Sequence, residues 1–294
     1  MRVGAAGVTG TSCPEEARYS PRMTPRPEAP ATYTHGHHES VLRSHSWRTV
    51  ANSAAYLEAE LVPGRRVLDV GSGPGTLTVD IAERVAPGRV VGVDAAEVVV
   101  EQARALAAAR GVDTVEFVVA DLFALPFDDD SFDVVHAHQV LQHVGDPVAA
   151  LREMRRVAVP GGVVAAREVD YHGTVWAPAS SGLDRWMDVY QQVHRGNGGE
   201  PDAGRVLKRW ALEAGFTDLV CTASSWCFST DDERTWWGDS WAARATESAF
   251  AADAVGKGVA TAGELEEIAD AWRAWRDAPD GWLAMPHGEV VARA

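Results

Sequence analysis

From Arg65 onward the chain alternates short, nearly unbroken apolar runs with longer amphipathic stretches. RRVLDV, RVVGVD, VEFVVAD, SFDVVHAH and GGVVAAREVD read as buried strands, because each is short, Val-rich and bounded by polar or glycine positions. Between them, TLTVDIAERV, EVVVEQARALAAAR and DPVAALREMRRV carry apolar residues at three- and four-residue spacing and predict helices of about three turns. Strand and helix taking turns in this way predicts βαβ units, right-handed crossovers and an α/β, doubly wound, mostly parallel sheet.

The pattern changes on both sides of this core, which is expected over residues 63–230. Residues 1–31 are rich in Pro, Gly, Ala, Ser and Thr and predict a disordered leader, in which Met23 is an alternative start. Residues 32–62 predict an N-terminal helical cap or lid, with Val41, Leu42, Trp47, Val50, Ala54 and Leu57 suggesting one helix from His38 to Leu57. After Asp170 a helical insert is expected at about 176–200, centred on Leu183 to Val193, then a helix over Ala203 to Ala214 that Gly215 stops. TDLVCTA and SWCFST read as two strand-like runs. Residues 231–294, with Trp236, Trp237, Trp241, Trp272 and Trp275, are expected to form a C-terminal helical addition.

Composition narrows the function. The hydrophobic content of 46% in 294 residues is enough for a proper core. No apolar run approaches the ~18 residues of a membrane span, and the N-terminus lacks an apolar signal core, so a cytoplasmic protein with no membrane partner is expected. Cys13, Cys221 and Cys227 form neither a disulfide framework nor a zinc-binding pair. A net charge of −15 with no compensating basic stripe argues against nucleic acid as a partner and leaves small-molecule substrates. A homo-oligomer is left open.

The strongest chemical signal is Val67-Leu68-Asp69-Val70-Gly71-Ser72-Gly73-Pro74-Gly75-Thr76, a strand running into a glycine-rich turn that opens a helix. Glycines there let the backbone come close to a ligand. A dinucleotide-binding turn has the spacing G-x-G-x-x-G, whereas Thr76 stands here where its last glycine should be. The second strand ends in Asp94, about 20 residues beyond the turn, where a carboxylate can accept from both hydroxyls of a ribose.

An acidic residue followed by G-x-G-x-G resembles the first motif of the class I S-adenosylmethionine-dependent methyltransferases, and the resemblance covers about Arg66 to Asp170. It implies a seven-stranded Rossmann-like sheet and S-adenosyl-L-methionine as cofactor. It places Asp69, Gly71, Ser72 and Gly73 at the methionine end, Asp94 on the ribose with Ala95 contributing backbone, and Ala120, Asp121 and Leu122 around the adenine. The stretch Gln142-His143-Val144-Gly145-Asp146-Pro147, with the helix after it and Pro160-Gly161-Gly162, resembles the ubiquinone/menaquinone-biosynthesis type. That subgroup implies methylation of a small carbon, oxygen or nitrogen acceptor, here an aromatic, terpenoid-like or quinone metabolite. The tryptophans of the chain, 11 in all, offer flat walls between cap, strands four and five and the helical insert, although most of them are expected in core or interface.

Methyl transfer from a sulfonium is an in-line displacement that depends first on positioning, and a base is needed only if the acceptor must lose a proton. The candidate bases are His138, His143, Tyr171 and His172, with His138 also placed against the cofactor. Tyr33, His38, His45 and Trp47 precede or belong to the cap and are candidates to close over the cofactor. The His35–Glu39 segment lacks the spacing of a closed metal site, so no metal is expected. Two other classes compete: a cofactor-binding protein without catalysis, and a nicotinamide-dependent oxidoreductase, which fails at Thr76.

Overall fold

The structure is a computed structural model, and it describes residues 47–294. The leader and the lid candidates Tyr33, His38 and His45 lie outside the described residues. The first described elements are a short helix α1 (Val50–Ser53) and a 3-10 turn, Ala55–Glu60. Then follow β1 (Val67–Val70), α2 (Thr76–Val85), β2 (Val90–Asp94), α3 (Glu97–Arg110), β3 (Val115–Val119), β4 (Phe132–His138), α4 (Pro147–Val157) and β5 (Ala158–Val169). The C-terminal half adds β6 (Val175–Ala177), α5 (Ser181–Gly196), α6 (Ala203–Glu213), β7 (Leu219–Phe228), α7 (Asp231–Glu247), α8 (Ala249–Gly256), α9 (Ala262–Asp277) and β8 (Trp282–Arg293).

The strands form one sheet in the order β3-β2-β1-β4-β5-β8, with β7 on the far side of β8. The first five are parallel and β8 is antiparallel to both β5 and β7. The expected seven strands make up this path. An eighth, β6, pairs with the start of β8 through Val175–Ala284 and is a short addition beyond the end of β5. The mostly parallel, doubly wound sheet thus stands as expected, and the order reverses between β1 and β4, the place where such sheets bind ligands.

Three layers pack on this sheet. The stretch at 50–61 and α2 cover one face through Val50, Leu57, Leu77 and Ile81, which meet Val67, Val134 and Val163. Helices α4 and α6 cover the other through Leu151, Met154, Leu207 and Trp210. Helices α5, α7, α8 and α9 form a roof with its own core, in which Trp186, Trp241 and Trp272 are fully buried and lie against one another at ring separations of 4.7–5.8 Å.

Several expectations change. The helix expected from His38 to Leu57 is interrupted in its described part: Thr49 closes a capping box with Asn52, and Ala54 leaves helical geometry at φ −140°. Val50, Ala54, Leu57 and Leu61 remain buried, so the apolar face holds although the helix does not continue. The C-terminal region is helical only as far as Asp277, and its last stretch is strand β8, paired on both sides. The two strand-like runs after α6 are one strand, β7.

Candidate active site

At the carboxyl end of β1 the chain turns on Gly71, Gly73 and Gly75, at φ +67°, +55° and +85°, a region that side chains with a Cβ rarely adopt. A methyl group at Gly71 would lie 2.3 Å from Val140 Cγ2, and one at Gly75 would lie 2.8 Å from the Cβ of Ala103. The turn is therefore built for close approach on both sides. Asp69, 3% exposed, is locked beneath it: one oxygen accepts from Thr78 Oγ1 at 2.6 Å and the other faces His136 Nδ1 at 2.8 Å.

Asp94 ends β2 beside the same turn. One of its oxygens accepts from the Gly73 amide and the other from the Ala96 amide, both at 3.1 Å. Each keeps a further lone pair for a hydroxyl. Ala95 is exposed, and the Ala120 amide donates to the Asp94 carbonyl, joining the ends of β2 and β3. Asp121 is exposed there, with Oδ1 accepting from the Phe123 amide at 2.9 Å, while Leu122 is partly buried against the core. Arg48, Asp69, Gly71, Gly73, Thr76 and His138 line a small cavity over the turn, into which buried Ser72 also opens with a hydroxyl that has no partner. A glycine cradle closed to any Cβ, an unpartnered hydroxyl and a carboxylate with spare lone pairs fit S-adenosylmethionine along β1 to β3.

The candidate bases separate. His138, at the end of β4 and 4% exposed, reaches the turn cavity; burial first, then the cations Arg48 and Arg167, hold its pKa well below the usual value. His143 lies on the 3-10 turn after β4, 5.0 Å from the His194 ring, and burial depresses its pKa too. Tyr171 is not a base at this mouth: it is 5% exposed within the roof core, 4.1 Å from the Tyr190 ring, and burial raises its phenol pKa. His172 faces solvent, with 64% of its side chain exposed and Asp202 as its neighbour at 3.9 Å. Trp47 does not line the turn cavity. It packs on Trp226, Phe228 and Trp236, at 5.1–5.9 Å, and its neighbour Arg48 takes the place expected of it.

A row of charged and polar groups that the sequence did not suggest crosses the sheet beside His138. Register aligns His138 with Arg167, Arg167 with Glu289 and Glu289 with Thr222. Arg167 Nη1 lies 2.9 Å from His138 Nε2, its Nε lies 3.2 Å from Glu289, and Glu289 also accepts from Thr222 at 2.6 Å and from Ser224. Burial lowers the Arg167 pKa to about 10. A second chain runs from Arg48 to Gln139 Oε1 at 2.7 Å, and from Gln139 Nε2 to His287 Nε2 at 2.8 Å. Since His287 Nδ1 donates to the Met285 carbonyl, its Nε2 accepts, and the ring is neutral and fixed. Gln139 stands at φ +54°, a strained position of the kind found at binding sites. Fully buried Glu168 accepts from the Val140, Leu141 and Gln142 amides and holds this loop. Beside the row, Trp47, Tyr56, Arg167, Ser224, Trp226 and Glu289 line a cleft of about 490 Å³.

A parallel sheet with its glycine turn at the switch point, an acidic strand end beside it and Thr76 in place of the last glycine of a dinucleotide turn matches a methyl-transfer fold. The methyltransferase-domain family matches residues 61–210, about half the chain, and the protein belongs to it. An uncharacterized methyltransferase of Schizosaccharomyces pombe is 31% identical over 269 residues, covering 88% of this chain and 95% of its own. A ubiquinone/menaquinone biosynthesis C-methyltransferase of Bdellovibrio bacteriovorus is 40% identical over 163 residues, covering 53% of this chain and 68% of its own. A solved Haemonchus contortus phosphoethanolamine N-methyltransferase, in complex with phosphomonomethylethanolamine and S-adenosylhomocysteine, is 15% identical, with a TM-score of 0.53 over 87% of this chain and 58% of that one, and shares the fold. The protein is an S-adenosylmethionine-dependent methyltransferase of small molecules. No helix among the described residues is long and apolar enough to cross a membrane.

Proposed function

We propose that the methyl acceptor is a flat, mostly apolar small molecule with polar substituents, taken into the cleft between the stretch at 47–56 and β7. The observation that carries this reading is the pairing of aromatic walls, Trp47, Tyr56 and Trp226, with a polar floor of Arg167, Glu289 and Ser224. Arg167 also touches His138, so the cleft and the turn cavity share a wall. Of the place expected from sequence, the cap and strand-five walls line this cleft, whereas the helical insert packs into the roof core with Trp186, Trp241 and Trp272.

The cofactor-side roles proposed for Asp69, Gly71, Ser72, Gly73, Asp94, Ala120, Asp121 and Leu122 follow the order of the strand ends. When bound, S-adenosylmethionine supplies an electrophilic methyl group on a sulfonium. Asp94 accepts from the ribose hydroxyls, the glycine turn holds the methionine end, and the aromatic walls of the cleft orient the acceptor. His138 and His143 are both held neutral by burial and neighbouring cations, so neither is tuned as a base near pH 7. The acceptor is accordingly one that reacts through a group already nucleophilic, its proton leaving to solvent. A capture panel of planar phenols, amines and quinols with labelled cofactor tests this, beside the variant Ala51→Trp, which fills the cleft from its exposed wall. The variant is expected to raise the acceptor KM at least about tenfold with S-adenosylhomocysteine affinity unchanged. Unchanged acceptor kinetics would move the acceptor elsewhere, and labelling of RNA or protein alone would overturn the small-molecule reading.

A further inference from the structure

The row across β4, β5, β8 and β7 fixes more than a salt bridge; it fixes which nitrogen of His138 carries a proton. A guanidinium has only N–H donors and no lone pair to offer, so Arg167 Nη1, 2.9 Å from His138 Nε2, must donate to it. A neutral imidazole whose Nε2 accepts carries its hydrogen on Nδ1. Arg167 cannot turn away, since Glu289 holds its Nε side and is itself held by Thr222 and Ser224. The resulting Nδ1–H is buried, has no partner, and belongs to a ring that lines the cavity over the glycine turn. A buried donor left unsatisfied is costly, which marks it as a place for a ligand acceptor. Arg48 is the cationic side chain of the same lining, and the Asp69 carboxylate there is already engaged by Thr78 and His136, so the ligand acceptor that fits is anionic.

We propose that His138, locked by Arg167 and Glu289 in its Nδ1–H form, donates to the carboxylate of the cofactor's methionyl end and is not a general base. The proposal rests on the cofactor placement above; of the two roles expected of His138 from sequence, it keeps the cofactor contact and replaces that of base. Its one lone pair is already taken, so it has nowhere to receive a proton from an acceptor. The depressed pKa agrees, because burial first, and then the cations Arg48 and Arg167, keep the imidazole neutral.

Two ligands that differ in the carboxylate test the contact: S-adenosylhomocysteine, and 5′-methylthioadenosine, which has the adenosine and thioether without the amino-acid end. Calorimetry on His138→Phe is expected to show S-adenosylhomocysteine weakened at least about tenfold and methylthioadenosine unchanged, the loss of one charge-assisted hydrogen bond. His138→Asn, whose amide nitrogen can take the place of Nδ1, is expected to stay within about threefold of the native affinity, whereas His138→Gln, which carries its amide one carbon further out, is not. The double variant Arg167→Met/Glu289→Gln removes the lock without leaving a lone buried charge. With the Nε2 partner gone the ring is free to take either tautomer, and S-adenosylhomocysteine is expected to weaken at least about threefold with methylthioadenosine unchanged. Equal loss of both ligands in His138→Phe would overturn the carboxylate contact. A fall in kcat for His138→Asn with S-adenosylhomocysteine affinity intact would restore His138 as a base. Failure of the native protein to bind S-adenosylhomocysteine at all would instead remove the cofactor placement on which the proposal rests.

Discussion

Glu168 offers the sharpest quantitative test of how the loop after β4 is held. Its carboxylate is fully buried and accepts from Val140, Leu141 and Gln142 at 3.0, 2.8 and 3.3 Å. Burial is nonetheless the larger influence and pushes its pKa from 4.5 up to about 7. The displacement of about 2.5 pH units corresponds to about 3 kcal/mol. The folded group binds its proton more tightly than the unfolded one, so this contribution is fully present below about pH 4.5 and is lost as pH rises through about 7. In Glu168→Gln the side chain is always neutral, its oxygen can serve Val140 and Leu141, and only the long bond to Gln142 is lost, at about 1 kcal/mol. The variant is therefore expected to be about 1 kcal/mol less stable than the native protein at pH 5 and about 2 kcal/mol more stable at pH 8. Glu168→Ala leaves three buried amides unpaired and should lose at least about 3 kcal/mol at pH 5. Denaturant unfolding of the three proteins at pH 5, 6, 7 and 8 measures both. A difference between native and Glu168→Gln that does not change sign with pH would refute the dominance of burial.

Asp94→Ala is expected to weaken S-adenosylhomocysteine binding at least about tenfold in calorimetry, through loss of the ribose acceptor. Because Asp94 also ties Gly73 and Ala96, a melting curve on the same sample separates lost binding from a loosened turn. Gly71→Ala meets Val140 at 2.3 Å in left-handed backbone, and should lose about 2 kcal/mol or more of stability together with cofactor binding; adding Val140→Ala should recover only part, since the backbone strain remains. His172→Ala should leave kcat and KM unchanged in steady-state assays, because the side chain faces solvent. Tyr171→Phe should do the same while costing about 1 kcal/mol in unfolding, the value of one buried hydrogen bond.

The glycine turn and the strand ends proposed to hold the cofactor were readable because each of their requirements is local. A strand that ends in glycines with positive φ, and a carboxylate at the end of the next strand, leave their marks within a few consecutive residues, and Gly71, Gly73 and Asp94 stand where those marks put them. Parallel neighbours then align the strand ends with no further instruction, since β1, β2 and β3 pair in register without a break. The helix period was also informative where the helix itself was not: Val50, Ala54, Leu57 and Leu61 all face inward across a break at Ala54.

The cleft proposed for the acceptor and the row beside it were hidden because nothing local sets them. Arg167 meets His138 and Glu289 only through the register of β5 with β4 and with β8, a strand supplied by the extreme C-terminus. That strand did not read as one, for Pro286 and Gly288 interrupt its apolar alternation. Both have a reason in three dimensions. The Pro286 carbonyl still takes the Asp170 amide, and Gly288 is needed because a Cβ there would lie 2.0 Å from the Gly204 carbonyl at the start of α6. The register of β8 on β5 then sets Glu289 against Arg167, and His287 two residues earlier meets Gln139. A histidine at a strand end looks like a base when only its own segment is in view. It becomes a donor of fixed tautomer once the arginine one strand away is seen to occupy its lone pair.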